Sequence, residues 1–313
     1  MAYTVLLKSW WFNVGDGFVK YGAEHILNQI YGSENVLIAS ALGANKYDML
    51  SQSTPAKGFP SVLDALDGSV DRVVLAGCVL SAKLHRIADK IEQLRIRPQI
   101  IFLGAGARSY GPESVAATAA ALQRLKPDIL ISRDSSSLEH FGSYFGKSQQ
   151  GIDCAYWVSD AVSALPSRKD YQIRTFNRMK DPGPVKHPSI TLDHAPFRLA
   201  AEPRARVLRR IMYRSIKPTG APRIESSFIS DNVPEYLQLY SAACEVHTDM
   251  VHATVAAAAY GTPVHMYHRS PRQEVISSVL GEEIFNEISE IDTHQLKTRK
   301  EAELRSVIEL LGI

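Results

Sequence analysis

Short apolar runs alternate with longer segments of helical periodicity along most of the chain, and this alternation sets the fold class. Arg72–Gly77 (RVVLAG) is one such run, and Ala82–Leu94 behind it carries apolar residues at helical spacing. Strands that alternate with helices are typical of α/β proteins with parallel sheets. The pattern therefore predicts an α/β fold of two Rossmann-like halves that face each other across a cleft.

Prolines indicate where the two halves divide. Five of them lie between positions 166 and 196 among many charged residues, a composition that favours a linker over a core. The chain has 313 residues, a length that suggests two domains. We expect an N-terminal Rossmann-like domain over 1–165, a linker over 166–188 and a C-terminal Rossmann-like domain over 189–313.

Composition narrows the class of protein. Lys and Arg number 35 against 33 Asp and Glu, a net charge of +2, which is small for a protein that neutralises a long nucleic acid. Cys78, Cys154 and Cys244 are odd in number and far apart, which argues against a disulfide framework.

No apolar run approaches the roughly 18 residues that span a bilayer, and the N-terminus lacks signal-peptide features. We therefore expect a cytoplasmic protein.

A glycine-containing turn joins the predicted first strand to the first helix. It runs from Asn13 through Gly15 and Asp16, at a junction where α/β proteins contact ligands. Gly15 lets the backbone approach a ligand, and the helix N-terminus favours an anion. Asp16 either faces the cleft and accepts a proton from a hydroxyl or simply caps the helix.

Several arginines follow predicted strand ends. Arg133 can hold a carboxylate or phosphate through two parallel hydrogen bonds, or it can form an ion pair with Asp134 or Asp153. Arg269 and Arg272 come after a later strand, on the predicted cleft side. All three arginines are therefore candidate anion-binding residues.

A histidine opens the helix that is richest in small residues. The strand before it ends near Thr248, and His252 falls in the first helical turn. This position places His252 at the carboxyl edge of the sheet, over the cleft, where it can act as an acid or base near neutral pH. A structural role in the core fits the local pattern equally well.

Histidine spacing does not indicate a metal site. His247 and His252 lie five residues apart, and His265 and His268 three apart, but neither pair has a third ligand at a diagnostic spacing. We expect no metal.

These motifs occur together in the order found in the polysaccharide pyruvyl transferase family, which the chain resembles from Asn13 to about Pro263. The segments that carry the resemblance are Asn13-Val-Gly-Asp16, Ile131-Ser-Arg-Asp134, Asp153-Cys-Ala155 and the stretch from Tyr240 through His252 to Gly261-Thr-Pro263.

The resemblance implies a glycosyltransferase-B-like pair of domains that transfers a pyruvyl group from phosphoenolpyruvate to a sugar of a polysaccharide or lipid-linked precursor. The product is a pyruvate ketal, and no metal or nucleotide cofactor is implied. The implied partners are phosphoenolpyruvate, a carbohydrate acceptor and, through a lipid-linked acceptor, the membrane surface; nucleic acid is not among them. The implied catalytic residues are His252 and Asp16, and the implied substrate-binding residues are Asn13, Gly15, Arg133, Thr248, Arg269 and Arg272.

One position departs from the family pattern. Met250 stands where the family has the arginine of an Arg-x-His motif, and methionine cannot make charge-assisted bonds to an anion. Either another arginine takes over, with Arg272 favoured, or the reaction differs. Two further readings stay open: a glycosyltransferase that uses a nucleotide-sugar in the same cleft, and a non-catalytic scaffold that has lost its donor site.

Overall fold

The computed structural model describes residues 3–8, 14–40, 62–166, 170–183, 187–192, 194, 227–228, 232–270 and 272–313. Within these ranges the chain builds two β-sheets of parallel strands, with helices packed around them. Parallel neighbours require crossover connections, which are usually helical, and this is why the sequence alternates as it does.

The first sheet contains six strands. They are β1 (Tyr3–Lys8), β2 (Val36–Ser40), β3 (Val70–Leu80), β4 (Gln99–Ala107), β5 (Ile129–Ser132) and β6 (Lys147–Gln150). The helices of this half are α1 (Val14–Tyr31), α2 (Val62–Ala65), α3 (Leu84–Ile91), α4 (Pro112–Leu125) and α5 (Ser135–Phe141). The strand order is β2-β1-β3-β4-β5-β6, so Val5 pairs with Leu37 on one side and Val73 on the other. The direction of winding therefore reverses between β1 and β3, where such sheets bind ligands beyond the carboxyl ends of their strands.

The second sheet contains five described strands. They are β7 (Gln172–Thr175), β8 (Ser189–Leu192), β9 (Ser227–Phe228), β10 (Glu245–Thr248) and β11 (Val264–Met266). The remaining helices are α6 (Val158–Ala161), α7 (Val233–Ala242), α8 (Val251–Ala259), α9 (Glu274–Leu280) and α10 (Thr293–Leu311). The order is β11-β10-β7-β8-β9, and here the winding reverses between β7 and β10.

The structure differs from the prediction in the segment 166–188, which was expected to be a linker. This segment contains β7, the strand between β10 and β8. Its sequence, QIRT, looks polar, but all four residues are buried, and the charge of Arg174 is neutralised by Asp181: Nε of Arg174 donates to Oδ2 of Asp181 at 2.6 Å. The second sheet thus begins before the predicted boundary at 189.

The described residues form two hydrophobic clusters, of which one lies within the first half and the other spans both halves. Phe18 and Ala23 of α1 belong to the same buried cluster as Tyr236 of α7 and Ala256 of α8, and the small residues of α8 let it approach α1 closely. Helix α10 then returns to the first sheet, where the backbone N–H of Ile152 donates to Oε1 of Glu303 at 3.3 Å. The carboxyl edges of the two sheets are consequently held next to each other.

Candidate functional site

Arg272 lies within electrostatic range of two other arginines, Arg108 and Arg178, that follow strand ends of the two sheets. Arg108 follows β4 of the first sheet, Arg178 follows β7 of the second, and Arg272 follows β11. Burial lowers the pKa of Arg272, and the positive charges of Arg133, Arg178 and Arg108 lower it further. The guanidinium groups of Arg108, Arg178 and Arg272 make no ion pair within the described ranges. The cleft at this point is therefore strongly cationic.

A buried ion pair lies beneath these arginines. Arg133, directly after β5, is 1% exposed, and its Nη1 donates to Oδ2 of Asp153 at 2.6 Å. Burial opposes the charge of Arg133, but Asp153 holds the pKa of the guanidinium above its usual value. Asp153 also accepts the backbone N–H of Ala155 at 2.9 Å, and Asp134 accepts that of Ser137 at 2.6 Å. The predicted ion pair with Asp153 is present, and both aspartates begin helical turns.

Buried polar atoms without partners are concentrated around this pair. Nε and Nη2 of Arg133, Oδ2 of Asp134 and Nδ1 of His252 are buried and have no hydrogen-bond partner in the part of the chain that the structure describes. The expected ion pair between Arg133 and Asp134 is present but long, with Nε 3.9 Å from Oδ2. Buried polar groups in proteins are normally hydrogen-bonded, and each exception requires a reason. Here four such atoms come from the carboxyl ends of β5 and β10, so the arrangement is suited to a polar ligand or to bound water.

Asp16 lies in the first turn of α1, close enough to this cluster to interact with its charges. Burial raises its pKa from 3.8 to about 6; Arg133 and Arg272 oppose this increase and Asp153 adds to it. Its carboxylate makes no hydrogen bond to any residue that the structure describes, so nothing here supports the capping alternative. A carboxyl group with a pKa near 6 can give and take a proton close to neutral pH.

His252, in the first turn of α8, is 7% exposed. Burial lowers its pKa to about 4, Asp153 opposes this shift, and Arg133 and Arg272 reinforce it. The ring is therefore neutral at pH 7. A neutral imidazole accepts a proton or donates a hydrogen bond, whereas the predicted acid role requires the protonated ring.

The structure separates other predicted residues from this cluster. Thr248 is fully buried: its hydroxyl donates to the carbonyl of Thr175 at 2.9 Å and accepts the N–H of Met250 at 3.0 Å. Arg269 is half-exposed and pairs with Glu282 at 2.5 Å. Asn13 lies outside the described residues. Of the predicted arginines, Arg133 and Arg272 come together, and Arg269 does not join them.

Met250 packs its sulfur against polar groups of the second sheet. Its Sδ accepts hydrogen bonds from the hydroxyl of Thr175 at 3.3 Å and the side-chain amide of Asn177 at 3.2 Å. The side chain thus has a structural role at the start of α8.

Asp249 is a residue that sequence reasoning missed. It is fully buried, and its carboxylate accepts the backbone N–H groups of Asn177, Arg178 and Met179 at 2.6–3.1 Å. These bonds fix the loop that carries Arg178 into the cleft. The only signal in the sequence was an acidic residue directly after a strand, because the partners lie more than 69 positions away in the chain.

None of the helices in the described ranges is long and apolar enough to cross a bilayer. The chain matches no protein-family model, and no curated protein gives a significant match.

Solved structures resemble the chain along nearly its whole length. A UDP-N-acetylglucosamine 2-epimerase from Rickettsia bellii aligns with 12% identity and a TM-score of 0.53, covering 99% of this chain and 96% of that one. The S. aureus protein MnaA, solved with UDP, aligns with 13% identity and a TM-score of 0.52, covering 96% and 87%. At such identities the likeness concerns the fold. It confirms the two-domain, glycosyltransferase-B-like α/β architecture.

The predicted membership of the polysaccharide pyruvyl transferases is wrong, and with it pyruvyl transfer and the expected partner phosphoenolpyruvate. No model of that family matches, and the structural neighbours are a UDP-sugar epimerase and a UDP-bound protein. The matching motifs have local structural causes: Asp134 and Asp153 cap helical turns, and Gly261 adopts a positive φ of 68° after α8. Aspartates that cap helical turns and a glycine at positive φ meet general requirements of the backbone and are not specific for one chemistry.

Proposed function

We propose that this protein is an enzyme that processes a nucleoside-diphosphate sugar of the UDP-N-acetylhexosamine class, by epimerising the sugar. The observation that carries the proposal is the group of three arginines, Arg108, Arg178 and Arg272, none of which makes an ion pair among the described residues. Like charges held close together destabilise the folded protein, and an anion that binds between them relieves this repulsion.

A diphosphate is the anion that fits this arrangement. Guanidinium groups bind phosphate oxygens through paired hydrogen bonds, and arginines from both sheets would contact a diphosphate from opposite sides of the cleft. The fold supports the assignment, because MnaA, with the same architecture, was solved with UDP.

The sugar would lie toward Asp16 and His252. Inversion of the carbon next to the anomeric centre breaks a C–H bond on one face and forms a new one on the other. A base removes the proton, the C–H electron pair forms a double bond as UDP leaves the anomeric carbon, and an acid protonates the opposite face as UDP adds back. Asp16, with a pKa of about 6, exists in both protonation states near neutral pH. His252 is neutral there and can accept a proton or donate a hydrogen bond to a sugar hydroxyl. We assign the removal of the proton to His252 and the return of a proton to the protonated form of Asp16.

Calorimetric titration with UDP and with uridine tests the diphosphate site. Arg272→Gln should weaken UDP binding by about 10–100-fold, because a hydrogen bond to a charged group contributes about 1.5–3 kcal/mol, while uridine binding stays unchanged. The matched control is Arg269→Gln. Arg269 lies in the same loop as Arg272, but it pairs with Glu282 on the surface. Equal loss of UDP and uridine binding, or equal effects of both variants, would contradict the assignment.

Turnover in D2O tests the reaction. Incubation with UDP-N-acetylglucosamine alone should yield an epimer that carries one solvent deuteron at the inverted carbon, as read by NMR. A glycosyltransferase, the alternative left open by the sequence, would need an acceptor and would leave the sugar's C–H bonds intact. Product formation that requires an acceptor and proceeds without deuterium would favour that alternative.

A further inference from the structure

The amino edge of the second sheet, opposite the cleft, brings together three side chains that bind metals in other proteins. Asp170 precedes β7 by two residues, His187 precedes β8 by two, and Cys244 directly precedes β10. Gln172 of β7 pairs with Ser189 of β8 on one side and Glu245 of β10 on the other. Because the three strands are adjacent and in register, the residues just before them must be neighbours.

The ligand atoms of the three side chains are close to the spacing that a metal ion requires. Nδ1 of His187 lies 2.9 Å from Oδ1 of Asp170, and one ligand atom from each residue lies within 4.8 Å of the others. Tetrahedral zinc with its usual bond lengths places ligand atoms about 3.4–3.7 Å apart. Rotation of the three side chains would adjust these distances, and the paired strands that follow the three residues set the positions of their backbones.

We propose that Asp170, His187 and Cys244 bind a Zn²⁺ ion, with water as the fourth ligand. Imidazole, thiolate and carboxylate together suit zinc, whereas magnesium and calcium prefer oxygen ligands alone. The site is independent of the proposed sugar-nucleotide chemistry, because it lies at the opposite edge of the sheet from Thr248 and His252.

The local electrostatics favour a cation. The carboxylates of Glu245 and Asp170 lie close enough to the Cys244 sulfur to act on it electrostatically, and their negative charges attract a cation. On binding, the thiol proton passes to solvent and the thiolate takes its place as a zinc ligand. The Sγ already lies 3.1 Å from the carbonyl of Tyr171, which holds the side chain at the strand edge. Zinc would link the starts of three strands and stabilise the second sheet.

Cobalt substitution tests the site in the full-length chain after metal removal with a chelator. Co²⁺ should bind in one equivalent with a thiolate-to-metal charge-transfer band, and Zn²⁺ should displace it and raise the melting temperature by mass action. Cys244→Ser should abolish the band. Cys78→Ser, which removes another half-buried free cysteine, should leave it intact.

A second variant tests the site without the risk that the protein fails to fold. The side chain of Asp170 is 81% exposed, so Asp170→Asn cannot disturb the core, yet it should weaken Zn²⁺ binding at least tenfold in a competition titration. The proposal is overturned if no charge-transfer band appears, if the band survives in Cys244→Ser, or if Asp170→Asn binds Zn²⁺ as tightly as the unaltered protein.

Discussion

The backbone of Gly15 lies against the imidazole of His252, so closely that a Cβ atom at position 15 would stand 2.5 Å from Cδ2 of the ring. Gly15 belongs to the first turn of α1 and His252 to the first turn of α8, so the contact joins the two halves of the molecule at the candidate site. Only a residue without a side chain allows the two helix starts to approach this far.

Gly15→Ala should therefore displace the His252 ring. Overpacking of this kind costs about 1–3 kcal/mol, and we expect a lower melting temperature together with weaker binding of UDP-N-acetylglucosamine. Gly183→Ala is the matched control, since no atom lies within 4 Å of its added methyl group. A Gly15→Ala variant that melts and binds like the unaltered protein would show that the contact is not tight.

Asp16 should make the protein less stable as the pH rises from about 4 to about 6. The unfolded chain loses this proton near pH 3.8 and the folded protein near 6, so over that interval the folded state holds a proton that the unfolded state has released. Asp16→Asn removes the penalty of ionising a largely buried carboxyl. At pH 7.5 it should raise stability by on the order of 2 kcal/mol, a value reduced for the partial exposure of the side chain, with no gain at pH 3.5.

The same variant should lower turnover by roughly two to four powers of ten, because it removes a proton-transfer group. Melting curves at the two pH values and a rate measurement check both effects. Asp71→Asn, a change at an exposed position, serves as the control. A variant that is active, or less stable at pH 7.5, would contradict the assignment of Asp16.

Arg133→Met should destabilise the protein strongly. The substitution leaves Asp153 buried without its cationic partner, and breaking a buried ion pair costs about 3–5 kcal/mol. Arg124 pairs with Asp89 and Glu92 on the surface, so Arg124→Met should leave the denaturation midpoint nearly unchanged. Similar urea midpoints for the two variants would mean that solvent reaches the Arg133–Asp153 pair.

Asp249→Asn should loosen the loop 177–179. The amide retains one acceptor oxygen where the carboxylate has two, so backbone N–H groups of Asn177, Arg178 and Met179 lose charge-assisted bonds. Hydrogen exchange at these three amides should accelerate at least tenfold, while exchange within β10 stays slow, and UDP affinity should fall because Arg178 is no longer held. Unchanged exchange in the loop would show that the loop does not depend on Asp249.

Apolar patterning was sufficient to predict the fold and to bring several residues of the candidate site to one edge of the sheets. Strand ends can be read from buried runs, and parallel strands expose all their carboxyl ends at one edge, which is why Asp16, Arg133, His252 and Arg272 were placed together. Arg269 lies only three residues before Arg272, yet it points to the surface. The direction in which a loop leaves its strand depends on tertiary contacts that spacing does not encode.

Features that depend on pairing between distant segments could not be predicted. Strand β7 was hidden because its arginine is neutralised by Asp181, which the local pattern cannot reveal. Asp170, His187 and Cys244 are spread over 75 positions and become neighbours only through strand register. The order of the motifs led to a wrong family prediction, because helix-capping aspartates and turn glycines serve the backbone and do not identify a chemistry.

The chain connects its two halves twice. The first connection leads into β7, and the second brings residues 293–311, which form α10, back onto the first sheet. Two connections restrict the relative movement of the halves more than one would, because twisting one half against the other would strain both. The contact between the starts of α1 and α8, where Gly15 lies against His252, is therefore not secured by a single connection.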